Sequence, residues 1–235
     1  NGFHDAADMV ATAIASRAMK PAIAIGIVTS FTFIAPFTVG LAVADTVGTF
    51  VDVGAASTVH GESLVIAALL AAVSYNLATW WLGFPSSSSN SLAGGLVGSG
   101  LYSVGGDHID WGIAALQQGQ LQGVMKVIAG LFASPVIGFL VGFMVMRLLF
   151  LLLRRATENV NGLFVVSQYL SVAWLGFSHG ANDAQKGMVV IGMMLLASGV
   201  TSEFFIPVWT ILLCATAITL GTMFGGWRII RTLGF

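Results

Sequence analysis

Two short polar stretches carry side chains that could bind ions, although the sequence around them is apolar. "NGFHDAADM" starts at residue 1, and "HGANDAQKGM" starts at residue 179. They supply two imidazoles and three carboxylates, which belong to His4, His179, Asp5, Asp8 and Asp183. A charged carboxylate inside a membrane costs at least about 2.5–3.5 kcal/mol and usually marks an ion pathway. These residues therefore predict a site for a coupling cation, either Na⁺ or a proton. The alternatives are a solvated loop at the membrane edge for the carboxylates and ordinary packing for the imidazoles.

The two stretches read as twin copies of one motif, G-x-[HN]-D-A, starting at Gly2 and at Gly180. After the first copy the chain reaches Arg17 and Lys20, and after the second it reaches Glu203. Lys and Arg favour the cytoplasmic side, so the copies are expected to run in opposite directions. Such inverted repeats place a binding site at their interface near the membrane midplane. The alternative is chance similarity between two polar kinks.

A serine run in "GFPSSSSNSLAGGLVGSG" predicts a site for an anion. Pro85 suits the first turn of a helix, and Ser86, Ser87, Ser88 and Ser89 follow it. Free N–H groups at a helix N-terminus attract anions. Lys186 comes three residues after Asp183, so it could form an internal ion pair or contact an anion. The alternative for the serine and glycine run is close helix packing.

Composition predicts the elements that hold these residues. The chain is 57% hydrophobic and 8% charged, against about 25% charged in soluble domains. Stretches without Asp, Glu, Lys or Arg, each long enough to cross a bilayer, cover 22–44, 63–84, 127–146 and 204–227. The fold class is therefore an all-α polytopic membrane protein. No basic run suggests nucleic acid, and the single Cys214 excludes an internal disulfide.

Segment lengths predict how the spans are arranged. Segment 162–200 is too long for one straight span, and it carries "FSHGAND" at its middle, which indicates a broken helix. Segment 86–103 either crosses the membrane or forms a re-entrant hairpin. We expect a first repeat at 1–153, a cytoplasmic linker at 154–161 and the start of a second repeat at 162–235. We also expect the chain to be a fragment, lacking a half-helix before residue 1 and a second serine cluster.

Three stretches in order, "NGFHDAADMVATAIASRAMKP", "FPSSSSNSLAGGLVGSGL" and "FSHGANDAQKGM", resemble the signatures of the inorganic phosphate transporter (PiT) family. The resemblance extends over residues 1–235 and is greatest to bacterial low-affinity members. It implies phosphate symport with Na⁺ or H⁺ by a homodimer that spans the inner membrane several times. It implies no enzymatic activity and no cofactor besides the coupling ion. Some bacterial members carry metal–phosphate complexes with protons, which would make a divalent metal part of the substrate.

The resemblance also assigns residues. It places Asp5 and Asp183 at the centre of the twin motifs, with His4 and Asn182 in one shared column. Asp8 stands where many relatives have Asn, and Thr32 where some have an acidic residue. The expected phosphate-binding residues are Ser86, Ser87, Ser88, Ser89, Asn90, Asn182 and Lys186. The expected coupling-cation residues are Asp5, Asp183, His4, Asp8 and His179.

Two other functions remain open at this point. Some relatives carry sulfate, which differs from phosphate chiefly in having no proton to donate at neutral pH, so a nearby carboxylate would decide between them. An intramembrane hydrolase could use Ser86–Ser89, His179 and Asp183 as nucleophile, base and orienting group. A hydrolase would leave the twinned motifs unexplained.

Overall fold

The computed structural model describes residues 1–55, 57–82, 84 and 86–232, and it is built from helices. Within this part of the chain the only β-type pairing is an isolated bridge between Val51 and Ile109. Among the described residues, four helical segments are long and apolar enough to cross a membrane, or five if a bent pair counts as one span. The predicted all-α polytopic class is confirmed.

Nine α-helices are found in the described residues. They are α1 (Gly2–Ala15), α2 (Pro21–Ile34), α3 (Ala42–Gly48), α4 (Thr58–Leu82), α5 (Ser88–Ser103), α6 (Ile113–Gln117), α7 (Gly123–Leu152), α8 (Asn161–Ala197) and α9 (Val208–Thr232). The unbent candidate spans are Thr58–Leu82, Gly123–Leu152, Glu158–Ala197 and Val208–Gly225.

The chain divides into two compact units. One comprises Asn1–Asp110 and Gln168–Phe235, and the other comprises Trp111–Ser167. The smaller unit contains α6 and α7, and the side chains of α7 are mostly apolar and almost all solvent-accessible, with Lys126 near its start and Arg147 near its end. Such a helix suits a lipid environment, since its backbone bonds are made internally and its surface is mostly hydrocarbon. The larger unit contains both polar motifs and the main core.

The core of the larger unit lies where α1 meets α2 and α8. Met9, Val10, Ala13 and Ile14 form the buried face of α1. Their i, i+1, i+4, i+5 spacing is that of one helical stripe. Opposite them are Ala24 and Val28 of α2 and Val172 of α8.

Two glycines let α8 approach the backbone of α2. A Cβ at Gly176 would lie 2.7 Å from the Val28 carbonyl oxygen, and a Cβ at Gly180 would lie 2.8 Å from the Thr32 Cα. The buried Thr32 hydroxyl donates to the Gly176 carbonyl at 3.0 Å. Small residues permit such contacts between membrane helices. This contact fixes the position of the second polar stretch, which begins at His179.

The predicted break at "FSHGAND" is wrong, because α8 is one continuous helix of 37 residues. It contains no proline, and packing against α2 compensates for the low helix propensity of its glycines. The broken span lies elsewhere, where the helical pieces Pro21–Phe37 and Ala42–Gly48 are bent by 66° relative to each other. Pro36 lies at the end of the first piece, where it cannot continue a regular helix. Broken helices are therefore present, but the break falls within the uncharged stretch 22–44.

The serine run forms the start of a helix. Ser87 is the N-cap of α5 and α5 begins at Ser88, while Pro85 lies outside the described residues. Gly95 brings α5 against α4, since a Cβ there would lie 2.6 Å from the Ala68 carbonyl oxygen. α5 has 16 residues, or roughly 24 Å, which is shorter than a hydrocarbon core of about 30 Å. Its length favours the re-entrant form, and the division into repeats at 1–153 and 162–235 stays a prediction.

The α2–α8 contact predicts opposite effects of two Gly→Ala substitutions. Gly180→Ala places a methyl group on the Thr32 backbone and should cost about 1–3 kcal/mol. Gly26→Ala in α2 is the control, because no described atom lies within 4 Å of its added Cβ, and it should be neutral or gain up to about 1 kcal/mol. Thermal unfolding of the purified protein in one detergent measures both. Equal melting temperatures for the two variants would contradict the packing described.

Candidate functional site

The two polar motifs meet in the larger unit. The Nε2 atom of His179 lies 3.4 Å from a carboxylate oxygen of Asp5 and 3.1 Å from one of Asp183. One potential ligand atom from each residue lies within 4.8 Å of the other two. The start of α1 supplies Asp5, and one turn of α8 supplies His179 and Asp183. We call Asp5, His179 and Asp183 the cation cluster.

The imidazole of His179 is enclosed, with 7% of its side chain exposed. Within the described chain neither of its ring nitrogens has a hydrogen-bond partner in suitable geometry, although Nε2 points between two carboxylates. Buried polar atoms in proteins nearly always have a partner. The geometry therefore suits a cation held by two carboxylates and an imidazole, or a proton shared among them.

His4 lies beside the cluster. Its Nδ1 atom is 3.2 Å from the second carboxylate oxygen of Asp5, and both side chains are 28% exposed. The imidazole lies within hydrogen-bond distance of the Asp5 carboxylate and so helps to orient it. The two motifs therefore contribute unequally, since the first forms the open side of the cluster and the second forms the buried side.

Lys186 connects the cluster to the serine run. Its ammonium group forms an ion pair with the Asp183 carboxylate oxygen that does not face His179. The same ammonium donates a hydrogen bond to the Ser88 hydroxyl at 2.8 Å. Of the two interpretations of Lys186, the internal ion pair is thus present, and the lysine also reaches the predicted anion site.

The serines of the run at 86–89 make different contacts. Ser88, the first residue of α5, meets Lys186 and lines a cavity. Ser87 caps the helix, since its hydroxyl accepts from the Asn90 N–H at 3.4 Å. Ser86 accepts from the Thr79 hydroxyl at 2.8 Å, while Ser89 and Asn90 are exposed.

A cavity of about 470 Å³ adjoins Ser88, within the range of about 300–1,000 Å³ typical of ligand pockets. Its polar wall carries Asn76, Ser88, Asp183 and Lys186, and most of its remaining wall is aliphatic. The amide of Asn76 donates to Ser91 at 3.1 Å and so holds α4 against the start of α5. Asn76 and Ser91 were not predicted from the sequence, although Ser91 continues the serine run.

Two predicted site residues lie away from these groups. Asp8 is exposed on α1 and is not part of the cation cluster. Asn182 is also exposed, and its amide donates to the Ser178 carbonyl of its own helix at 2.9 Å. Consecutive residues of a helix point about 100° apart, so Asn182 faces away when Asp183 faces the cluster.

Gln185 is a buried residue directly after the second motif, and it was not among the residues predicted from the sequence. Its carbonyl oxygen accepts from the N–H groups of Val43 and Ala44 at 3.1 and 3.0 Å. Its amide donates to the Gly40 carbonyl at 2.9 Å and to Ala181 at 2.8 Å. Gln185 therefore caps α3 from another helix. Through these contacts it joins α8, at the position next to Lys186, to the break of the bent span.

Replacing Gln185 should destabilise the protein. Gln185→Leu removes the partners of buried backbone groups at the break, at about 1–3 kcal/mol for each group left unpaired. Asn182→Ala is the matched control, because that exposed amide bonds only within α8, and its melting temperature should stay near that of the wild type. Thermal unfolding followed by size-exclusion chromatography measures both variants. A Gln185→Leu protein as stable as Asn182→Ala would show that the capping contacts contribute little.

Comparison with known proteins places these residues in a family. The sequence matches the phosphate transporter family over residues 1–162 and 152–235. It is 39% identical to a probable low-affinity inorganic phosphate transporter of Rhizobium meliloti over 237 residues, covering 100% of this chain and 67% of that protein. A Bacillus subtilis protein of the same description is 37% identical over 236 residues, with the same coverage. The low-affinity inorganic phosphate transporter PitB of Escherichia coli is 32% identical over 231 residues, covering 88% of this chain and 44% of PitB.

A solved structure has the same fold. "The sodium-dependent phosphate transporter" aligns with 99% of this chain and 74% of its own at a TM-score of 0.76. Its identity to this chain is 21%, so the likeness concerns the fold alone. The family resemblance predicted from the three sequence stretches is confirmed by the family match and the curated relatives. The chain belongs to the phosphate transporter family.

Proposed function

We propose that the protein is a secondary active transporter that carries inorganic phosphate together with H⁺ or Na⁺. The observation that carries this proposal is the position of Lys186, which joins the cation cluster to Ser88 beside the cavity. The names of the curated relatives support phosphate as the substrate. A symporter must couple a cation site to an anion site, and contact between the two proposed sites through Lys186 provides a route for that coupling.

The cation is proposed to bind among Asp5, His179 and Asp183, with His4 supporting Asp5. Carboxylate oxygens are good ligands for hard cations, and an imidazole is the group best suited to exchange a proton near neutral pH. The cluster therefore accommodates either coupling ion. The exposed position of Asp8 gives no support to its predicted role in binding the cation.

The phosphate is proposed to bind at the start of α5, in contact with the Ser88 hydroxyl and the Lys186 ammonium. A helix N-terminus favours an anion electrostatically, and a lysine ammonium adds charge-assisted hydrogen bonds. Ser86 and Ser87 shape the turn through Thr79 and the helix cap. Ser89, Asn90 and Asn182 were also expected to bind phosphate, but their exposure gives them no support.

The position of Asp183 favours phosphate over sulfate. Phosphate carries a proton at neutral pH that it can donate to an acceptor, and sulfate carries none. The Asp183 carboxylate lines the same cavity as Ser88, where it could accept that hydrogen bond. The protein is further proposed to act as a homodimer in the bacterial inner membrane, without enzymatic activity or a cofactor, and with any divalent metal entering as part of the substrate.

Removing either cluster carboxylate should abolish coupled uptake. Asp5→Asn and Asp183→Asn each remove one charged ligand of the cation, and uptake should fall at least about tenfold, the effect of a loss of 1.4 kcal/mol. The measurement is radiolabelled phosphate uptake by the intact protein in proteoliposomes, with Na⁺ and proton gradients imposed separately and sulfate as competitor. Wild-type rates in either variant, at equal amounts of folded protein, would contradict a coupling role for that residue.

Ser88→Ala should weaken phosphate binding. A hydrogen bond to a charged group contributes about 1.5–3 kcal/mol, so the dissociation constant should rise roughly tenfold or more. Ser99→Ala is the control on the same helix, because its hydroxyl bonds to the Gly95 carbonyl of α5, and it should leave the affinity unchanged. Equilibrium binding of radiolabelled phosphate compares the two variants, and equal affinities would place the phosphate elsewhere.

A further inference from the structure

The Asp183 carboxylate serves two neighbours at once. One oxygen lies 3.1 Å from His179 Nε2 in the cation cluster, and the other forms the ion pair with Lys186. The ammonium of Lys186 also donates to Ser88 at 2.8 Å. A single buried ion pair therefore lies between the proposed cation site and the proposed anion site.

Lys186 is unusual in both its place and its burial. It is the only Lys or Arg between residues 155 and 228 of the sequence, and 12% of its side chain is exposed. When the twin motifs are aligned on Gly2 and Gly180, Lys186 falls opposite Asp8. The second copy thus carries a fixed positive charge where the first carries a negative one. Asp8 is exposed, so only the second copy places this charge inside the protein.

We propose that Lys186 is an exchangeable counter-cation that couples the two ligands. With the cluster empty, its ammonium neutralises Asp183. A cation bound among Asp5, His179 and Asp183 takes over this neutralisation, and the ammonium then pairs with phosphate at Ser88. The inference rests on the proposed function and specifies how the two binding events are linked.

Electrostatics makes the linkage favourable in both directions. A buried charge that loses its partner is strongly destabilised, so both Asp183 and Lys186 need a counter-charge in every state. A cation alone would face the nearby ammonium, and phosphate alone would compete with Asp183 for that ammonium. When both ligands are bound, the cation neutralises Asp183 and the phosphate neutralises Lys186. Each ligand thus supplies a counter-charge to the group that the other ligand has separated from its partner. Coupling between two ligands is reciprocal, and it typically changes affinity about 5–150-fold.

The exchange requires little movement. Lys186 already contacts Ser88, and Lys186, Asp183 and Ser88 all line the cavity of about 470 Å³. The long lysine side chain can turn its ammonium from Asp183 towards an anion in this space by rotation about its own bonds. No displacement of α8 is needed.

The test measures phosphate affinity against cation concentration for the intact protein in nanodiscs. Radiolabelled phosphate isotherms are recorded over a Na⁺ series at fixed pH and over a pH series without Na⁺. In the wild type, raising the concentration of the coupling ion should tighten phosphate binding about 5–150-fold. In Lys186→Gln, phosphate should bind at least about tenfold more weakly, and the dependence on the coupling ion should disappear. Its cation affinity measured without phosphate should rise, because Asp183 has lost its internal partner.

The substitution Lys186→Arg keeps the positive charge. It therefore tests whether the exchange depends on how firmly this side chain holds Asp183. A guanidinium holds a carboxylate through two parallel hydrogen bonds, more firmly than an ammonium does. We define the half-effect concentration as the concentration of coupling ion that gives half of the full increase in phosphate affinity. This concentration should therefore be higher in Lys186→Arg than in the wild type. An unchanged half-effect concentration would overturn the exchange.

The outcomes separate the two proposals. If Lys186→Gln binds phosphate weakly but keeps the full dependence on the coupling ion, Lys186 is a simple phosphate contact and the exchange is wrong. If its cation affinity falls, the lysine supports the cluster rather than competing with the cation, which also overturns the exchange. Failure of the wild type to bind phosphate at any cation concentration would instead overturn the proposed function.

Discussion

The structure depends on one electrostatic constraint: the Asp183 carboxylate lies in an apolar part of the protein and must be neutralised there. Lys186 provides that neutralisation from the same helix at one carboxylate oxygen, and His179 lies beside the other. The start of α1 and the start of α5 both lie close to this turn of α8, because Asp5 lies beside His179 and Ser88 accepts a hydrogen bond from Lys186. The cation cluster and the serine turn are therefore parts of one charge network, and binding at one part changes the electrostatics of the other.

Neutral contacts hold this network in place. Gly176, Gly180 and Thr32 bring α8 against the backbone of α2, and Gln185 caps α3 across the break. Gln185 and Lys186 are adjacent, so the residue that fixes the bent span lies next to the residue that meets the serine turn. A binding site built on a continuous helix is held more precisely than one on a loop.

Hydropathy and residue type predicted much of this arrangement. The uncharged stretches 63–84, 127–146 and 204–227 correspond to α4, α7 and α9, because each needs only length and apolar composition to cross a membrane. The break in 162–200 was wrong because it was inferred from the length of the segment and from the polar FSHGAND at its middle, whereas α8 continues through these residues and packs against α2. The exposed position of Asn182 was not predicted, because sequence does not give the rotation of a helix about its axis. Gln185 was missed because a neutral amide shows its importance only through its partners, which lie more than 140 residues away in sequence.

The most direct measurement is an experimental structure of the intact protein with phosphate and the coupling ion bound. We expect a phosphate in contact with the Ser88 hydroxyl and the Lys186 ammonium. We also expect a lengthened Lys186–Asp183 distance and, with Na⁺ as the coupling ion, ion density among Asp5, His179 and Asp183. Phosphate bound away from α5, with Lys186 still paired to Asp183, would contradict this expectation.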